Sequence, residues 1–343
     1  MSPRKPFLDF SQYSMYMSCP LKWYERYVRS TVRAPREGYQ DSALTLGTCV
    51  HAGLEVLRQR GVLEIPEEVF QETGVSPDYR AWAQRLLAGY AAHYPGEDFP
   101  SGHCEAPLRF PLTDAVDGLA KVDYYWKVPP EGQEIADGLG GVLHLEPGWW
   151  VKEYKTKDPS RRPGNWALSW RMGAQADFQC LALAAVTGEP ARGIIVDTLE
   201  KPAPYIPQRT CKGCGAKQDL RQYTPLGGGK YRCELCKAEI ALDGSDKSKS
   251  PRVPAYYRLK VERSPQALEL LHAEACALAT EMQAIREGKA QPLRRLTQCV
   301  DQTFGPCEYF EPHSAVREAA GWEGFVLADT IKYVGESPQE ESL

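Results

Sequence analysis

The sequence predicts a mixed α/β (α+β) fold, a central mixed sheet flanked by helices, interrupted by an inserted zinc ribbon. Three observations predict it. Helical patterns open the chain, strand-like runs follow from about residue 106, and the two then alternate, as one sheet with helices packed on it requires. The 343 residues are 43% apolar, enough material for a sizeable core. Between about 200 and 254 the composition turns to Pro, Gly, Lys and Ser around two Cys pairs, which reads as an insertion.

The elements follow in order. Residues 11–30, SQYSMYMSCPLKWYERYVRS, open with Ser residues suited to capping and carry Tyr and Trp at helical spacing, with Pro20 at a break between two short helices. In LGTCVHAGLEVLRQR, 46–60, Leu46, Val50, Leu54 and Leu57 form one stripe, and YRAWAQRLLAGYAA, 79–92, repeats the habit. Strand-like runs occupy 106–112, 118–128, 141–145 and WWVKEYKTK at 149–157. The turn signals ADGLGG and EPG separate the last three and predict an antiparallel meander. After a basic, Trp-containing loop come an apolar helix, 173–188, ended by Gly188, and a buried-looking strand, 193–199. Past the insertion a strand resumes at 256–264, and a long helix, 264–288, is capped by Ser264 with Pro265 at its first position. The last residues, 328–343, have the composition of a disordered tail.

Charge sets no global bias toward nucleic acid: 41 Lys and Arg against 45 Asp and Glu give −4. No stretch approaches a membrane span and the N-terminus lacks a signal-peptide core, so a cytoplasmic protein is expected. The 11 cysteines are odd in number and do not resemble a secreted disulfide framework. Four of them, Cys211, Cys214, Cys233 and Cys236, form two C-x-x-C pairs, the spacing of two knuckles gripping one tetrahedral Zn²⁺. Gly213 and Gly215 flank the first pair, where backbone amides must turn toward the thiolates. A ribbon this small has little core, so the metal should supply most of its folding energy.

On the strand at 149–157, Glu153 and Lys155 are two apart and share a face with Trp149 and Val151, while Lys152, Tyr154 and Thr156 point oppositely. Both charges on one face are useful under a metal: a carboxylate binds Mg²⁺, and a nearby ammonium orients or deprotonates water or offsets charge growing on a phosphate. Asp123 on the preceding strand can supply a second carboxylate. The bare triplet is weak evidence, because it recurs at Glu287-Gly288-Lys289, where it merely ends a helix.

Five motifs in order resemble the RecB-type branch of the PD-(D/E)xK nuclease superfamily, which includes phage exonucleases and CRISPR-associated adaptation nucleases. They are SQYSMYMSCP, Gly47 to His51, Gly118 to Asp123, the EYKT strand, and GAQADFQ. The resemblance covers about 9–200 and 256–313. It implies a restriction-endonuclease-like fold, with a nuclease core built from 1–200 and 255–327 and a ribbon at 201–254. It implies that Asp123 and Glu153 hold Mg²⁺ or Mn²⁺, that Lys155 is the catalytic lysine, that His51 is a further ligand and that Gln175 positions substrate or the lysine. His51 also reads as an ordinary, partly buried helix histidine. Where the family usually has Tyr four residues after the Gln, this chain has Gln179.

Some relatives tie the two ends of the domain with an iron–sulfur cluster held by one early and three late cysteines. Here Cys19, Cys299 and Cys307 match, and His313 stands near the place of the last ligand, so the set could bind a [4Fe–4S] cluster or zinc, or be metal-free. Cys49, Cys104, Cys180 and Cys276 read as packing residues. In KTKDPSRRPGNWALSWR, Lys157, Arg161, Arg162 and Arg171 alternate with Trp166 and Trp170, a pattern fit either for binding single-stranded DNA or for a solvated loop with two core tryptophans. The expected function is a metal-dependent DNA nuclease, an exonuclease on single strands or duplex ends, in recombination, repair or phage or CRISPR DNA processing, with a helicase or recombination partner. The competing readings are a non-catalytic DNA-binding subunit of a recombination complex and a metal-dependent enzyme on another phosphate substrate.

Overall fold

The structure is a computed structural model, and it describes residues 5–33, 42–95, 102–157, 163–201, 208–211, 213–215, 217–219, 223–227, 230–233, 235–241, 255–293, 300–301, 305–306 and 325–327. The chain runs β1 (Phe7–Asp9), α1 (Phe10–Ser18), α2 (Pro20–Trp23), β2 (Thr31–Arg33), α3 (Ala43–Arg60), α4 (Glu67–Thr73), α5 (Pro77–His93), β3 (His103–Pro111) and β4 (Asp117–Val128). It continues with β5 (Gln133–Ala136), β6 (Val142–Leu145), β7 (Gly148–Lys157), α6 (Pro163–Arg171), α7 (Ala174–Thr187) and β8 (Ala191–Glu200). In the Cys-pair segment lie β9 (Gln208–Thr210), β10 (Lys217–Asp219), β11 (Tyr223–Gly227), β12 (Lys230–Cys233) and β13 (Glu239–Ala241), followed by β14 (Ala255–Glu262) and α8 (Pro265–Arg286).

The fold class is the one the sequence predicts. A mixed sheet in the order β1-β4-β7-β8-β14, with β3 beside β4, carries helices on both faces. β1 pairs with β4, and β7 with β8, in parallel; the other pairings are antiparallel. One face buries Val151, Ile194 and Val196 against Phe178 and Leu183 of α7, Tyr13 of α1 and Leu271 of α8. The other buries Tyr154 and Leu199 against Leu46, Val50 and Leu54 of α3 and Leu86 and Tyr90 of α5. Each fully buried Leu or Phe among these contributes about 1.5–3 kcal/mol of transfer free energy.

Local chemistry sets the boundaries. Pro20 opens α2 after the break at Cys19, Ser42 and Thr45 form a capping box on α3, Ser264 caps α8, and Gly188 closes α7 in the left-handed conformation at φ 71°. The expected meander is not formed. β6 pairs with β5 in a separate hairpin, and β4 pairs directly with β7, so the turn signals at 137–141 close an excursion from the sheet rather than link two of its strands. The basic loop after β7 is also corrected, because Trp166 and Trp170 sit one turn apart on α6. The tail at 328–343 lies outside the described residues. No helix among the described residues is long and apolar enough to cross a membrane.

Candidate active site

β3 pairs with β4 from Asp117 to Tyr125, so β1 and β7 must share the opposite edge of β4. There β1 takes Asp117 to Leu119 and β7 takes Tyr124 to Val128. Residues 120–123 fall between the two ladders, where backbone groups need partners from elsewhere. Asp123 Oδ2 accepts a hydrogen bond from the Tyr154 backbone N–H at 2.7 Å, and Gln179 Nε2 donates to Lys121 O at 3.4 Å. The gap thus brings the Asp123 carboxylate to β7 at the position after Glu153. Gly118, the motif glycine at the start of β4, is required by packing: a Cβ there would fall 2.2 Å from the ring of Phe110, its cross-strand partner.

Glu153 is 3% exposed and held on three sides. Its Oε1 accepts from Gln175 Nε2 at 2.8 Å and pairs with Lys155 Nζ, and its Oε2 accepts from Gln179 Nε2 at 2.6 Å. Gln175 and Gln179 are four apart on α7, so one helix face presents both amides to one carboxylate. Sequence reasoning assigned Gln175 and set Gln179 down only as a departure from Tyr. The i, i+4 repeat of Gln on a helix facing an acidic strand was the signal available. His51 reaches Asp123 from α3, Nδ1 to Oδ1 at 3.3 Å, and its ring meets Tyr154 edge-on. Lys155 Nζ lies 5.7 Å from the centre of the Trp170 ring. The structure therefore gathers His51, Asp123, Glu153, Lys155 and Gln175 at one place.

Their protonation is split by environment. Burial, then the charge of Asp123, pushes the Glu153 carboxyl above its ordinary pKa against the pull of Lys155 and His51. Burial also opposes ionisation of Asp123, but the His51 charge and hydrogen bond, Lys155 and the Tyr154 N–H hold its pKa below the ordinary value. Burial disfavours the Lys155 ammonium, yet Glu153 and Asp123 more than offset it and the pKa rises. For His51 burial is likewise outweighed by Asp123, and the pKa rises. Both carboxylates thus favour the ammonium form of Lys155.

Among the described residues only Cys211, Cys214, Cys233 and Cys236 bring three or more metal-ligand atoms within 4.8 Å of one another. His51, Asp123 and Glu153 do not form such a closed cage. Two carboxylates around an open gap still fit Mg²⁺ or Mn²⁺, which take hard oxygen ligands and keep waters and substrate oxygens in their shell. The four cysteine sulfurs are a different kind of set. Cys211 and Cys236 lie 3.5 Å apart and Cys214 and Cys233 4.0 Å, the Gly213 N–H points to Cys211 Sγ at 3.4 Å, and Gly215 takes φ +71°. Soft thiolates in this arrangement suit tetrahedral Zn²⁺.

The remaining expected residues divide. Lys157 is fully buried, its Nζ 3.5 Å from Glu200 Oε1, and so is not the solvent-facing phosphate contact the basic run suggested. Trp170 is buried in the core, and Trp166 is half-buried with its indole N–H donating to Thr198 Oγ1 at 3.1 Å. Arg171 is exposed at the end of α6, and Arg161 and Arg162 lie outside the described residues. Cys19 is buried at the α1–α2 junction, while Cys299, Cys307 and His313 lie outside the described residues. Sequence reasoning missed a second charged cluster, on the opposite face of β7. Lys152 Nζ lies 3.0 Å from Asp197 Oδ2, which also accepts from Tyr90 at 2.6 Å, and Arg258 Nε holds Asp197 Oδ1 at 2.9 Å. These contacts lock β7, β8 and β14 together beneath the site.

Comparison with known proteins adds a family likeness: the model of the PD-(D/E)XK nuclease superfamily matches residues 8–126. The matched segment includes His51 and Asp123 and ends before Glu153, Lys155 and Gln175, whose grouping rests on the geometry above. No curated protein matches the sequence. The crystal structure of a "Putative exonuclease" from Eubacterium rectale is similar at a TM-score of 0.46 and 10% identity, over 84% of this chain and 84% of that one.

Proposed function

We propose that the protein is a metal-dependent DNA nuclease of the RecB-type branch, an exonuclease acting on single strands or duplex ends. The observation that carries this reading is the buried Glu153, clamped by Gln175, Gln179 and Lys155 beside the ionised Asp123 at the gap in the sheet. A phosphodiester is anionic and repels hydroxide. A Mg²⁺ or Mn²⁺ ion held by Asp123 and Glu153, with His51 alongside, would supply charge neutralisation and an acidified water. The chain's own residues do the rest. The two glutamines fix the plane of the Glu153 carboxylate, His51 and the Tyr154 N–H fix that of Asp123, and the Lys155 ammonium offsets negative charge growing on the phosphate.

In this reading residues 1–200 and 255–327 form the nuclease core, and 201–254 a ribbon that folds around Zn²⁺ through Cys211, Cys214, Cys233 and Cys236. Metal analysis should find one zinc per chain, lost in Cys214→Ser; undiminished zinc in that variant would rule the site out. The nuclease test is digestion of end-labelled single- and double-stranded DNA with Mn²⁺. Shortening from the ends that EDTA abolishes and that spares circular single strands is expected. DNA binding without metal-dependent cleavage would refute the reading in favour of a DNA-binding subunit.

A further inference from the structure

Beside Lys155 lies a cavity of about 460 Å³. It opens at the carboxyl ends of the parallel strands β7 and β8, the place where open α/β sheets bind ligands. Its size falls in the range of sites for single small molecules, roughly 300–1,000 Å³, and is too small for a duplex. Lys155, Lys157 and Lys201 line it with Phe10, Trp166 and Trp170, and no carboxylate is among its described lining residues. Lys155, which pairs with Glu153, is the cation that the nuclease reading sets toward the phosphate, and the aromatic walls offer a face to a flat group. A nucleotide, with a flat ring and an anionic phosphate, engages both.

The walls also say which ring can stack. Trp170 is buried, with Lys155 over its face and Trp166 in a T-shaped contact with it. Trp166 is the more exposed of the two, and its indole N–H is anchored on Thr198, so its plane is fixed in advance. Lys155 and Gln175 belong both to the cavity and to the carboxylate site, so whatever fills the cavity lies next to the reacting phosphate.

We propose that this cavity seats one unstacked nucleotide of the substrate strand beside the scissile phosphate, with its base against Trp166 and its phosphate toward Lys155 and Lys201. The assignment rests on the nuclease reading for the nature of the strand. It gives the two inward-turned tryptophans of α6 a role as a seat for one base rather than a surface track.

The test is equilibrium binding of a labelled single-stranded oligonucleotide to the full chain in EDTA, with one abasic position moved along the strand. A missing base at a single position should weaken binding by roughly 5- to 150-fold, the worth of one base–aromatic stack, while other positions matter less. Ala43, at the exposed first turn of α3, also lines the cavity, and Ala43→Trp should fill it without disturbing the core. In that variant, and in Trp166→Ala, intact and abasic strands should bind alike, with circular dichroism confirming the fold. Equal binding of intact and abasic strands by the wild type, or full base dependence retained in Ala43→Trp, would overturn the seat. Because this assay needs no catalysis, the two readings fail separately. A base-dependent seat in a chain that cleaves nothing with Mn²⁺ sinks the nuclease, whereas cleavage by a chain indifferent to the missing base sinks the seat.

Discussion

Glu153-Tyr154-Lys155 and Glu287-Gly288-Lys289 are the same acid-x-lysine triplet in two settings, and each pairs internally, Lys289 with Glu287 at 2.6 Å and Lys155 with Glu153. The settings differ in access to water. The Glu287 and Lys289 side chains are 39% and 73% exposed, those of Glu153 and Lys155 4% and 30%. Hydrogen bonds from Lys289 and Gln283, and the charge of Lys289, hold the Glu287 carboxyl below its ordinary pKa, while burial and Asp123 push Glu153 above it. One sequence pattern thus yields opposite electrostatics. What turns the pattern into a site is desolvation together with a second carboxylate close by, and neither is encoded in the triplet itself.

Each partner of one triplet has a counterpart in the other, which makes the contrast breakable. The largest effect is expected at the acids. Glu153→Ala or Asp123→Ala should lower Mn²⁺-dependent DNA hydrolysis on the order of 10³-fold, several kcal/mol of barrier, and Glu287→Ala should leave initial rates at the wild-type level. A smaller loss is expected at the amides. Gln175→Ala and Gln179→Ala should each weaken Mn²⁺ affinity or activity by about 10- to 100-fold, and Gln283→Ala, which removes the amide donating to Glu287 at 2.7 Å, should do neither. Equal effects of Gln179→Ala and Gln283→Ala would show that the amide clamp is ornamental.

The smallest effect is a shift in titration. In the metal-free protein, carboxyl NMR should find Glu153 titrating above the ordinary glutamate range and Glu287 below it. Protons compete with metal for a carboxylate, so Mn²⁺ affinity should fall on acidification, beginning above the pKa of an ordinary glutamate. Affinity that stays flat until below that value would mean that Glu153 is not the ligand.

Much of the fold was legible because it is written in local signals. Ser264-Pro265, Gly188 and the stripe Leu46, Val50, Leu54 each mark an element by capping or periodicity, and each element formed there. The site was legible in part, since Asp123, Glu153, Lys155, His51 and Gln175 come together from four elements. Pairing partners were not legible. The turns around 137–148 read as a meander because a turn signal says that the chain reverses, not which strand it returns to. The sequence placed Lys152 only on the face opposite Glu153; its burial on Asp197 was not legible, because only the neighbouring strand supplies its counter-ion. Trp166 and Trp170 read as loop residues, since Pro163 and Gly164 beside them resemble a turn until Pro163 opens a helix.

The most direct measurement compares the two lysines. With end-labelled single-stranded DNA and Mn²⁺, the wild type and Lys289→Ala should cleave at the same rate, and Lys155→Ala should be slower by about 10²- to 10³-fold, the scale for losing one charge-stabilising donor at the reacting phosphate. Cleavage by Lys155→Ala at the wild-type rate would contradict the account.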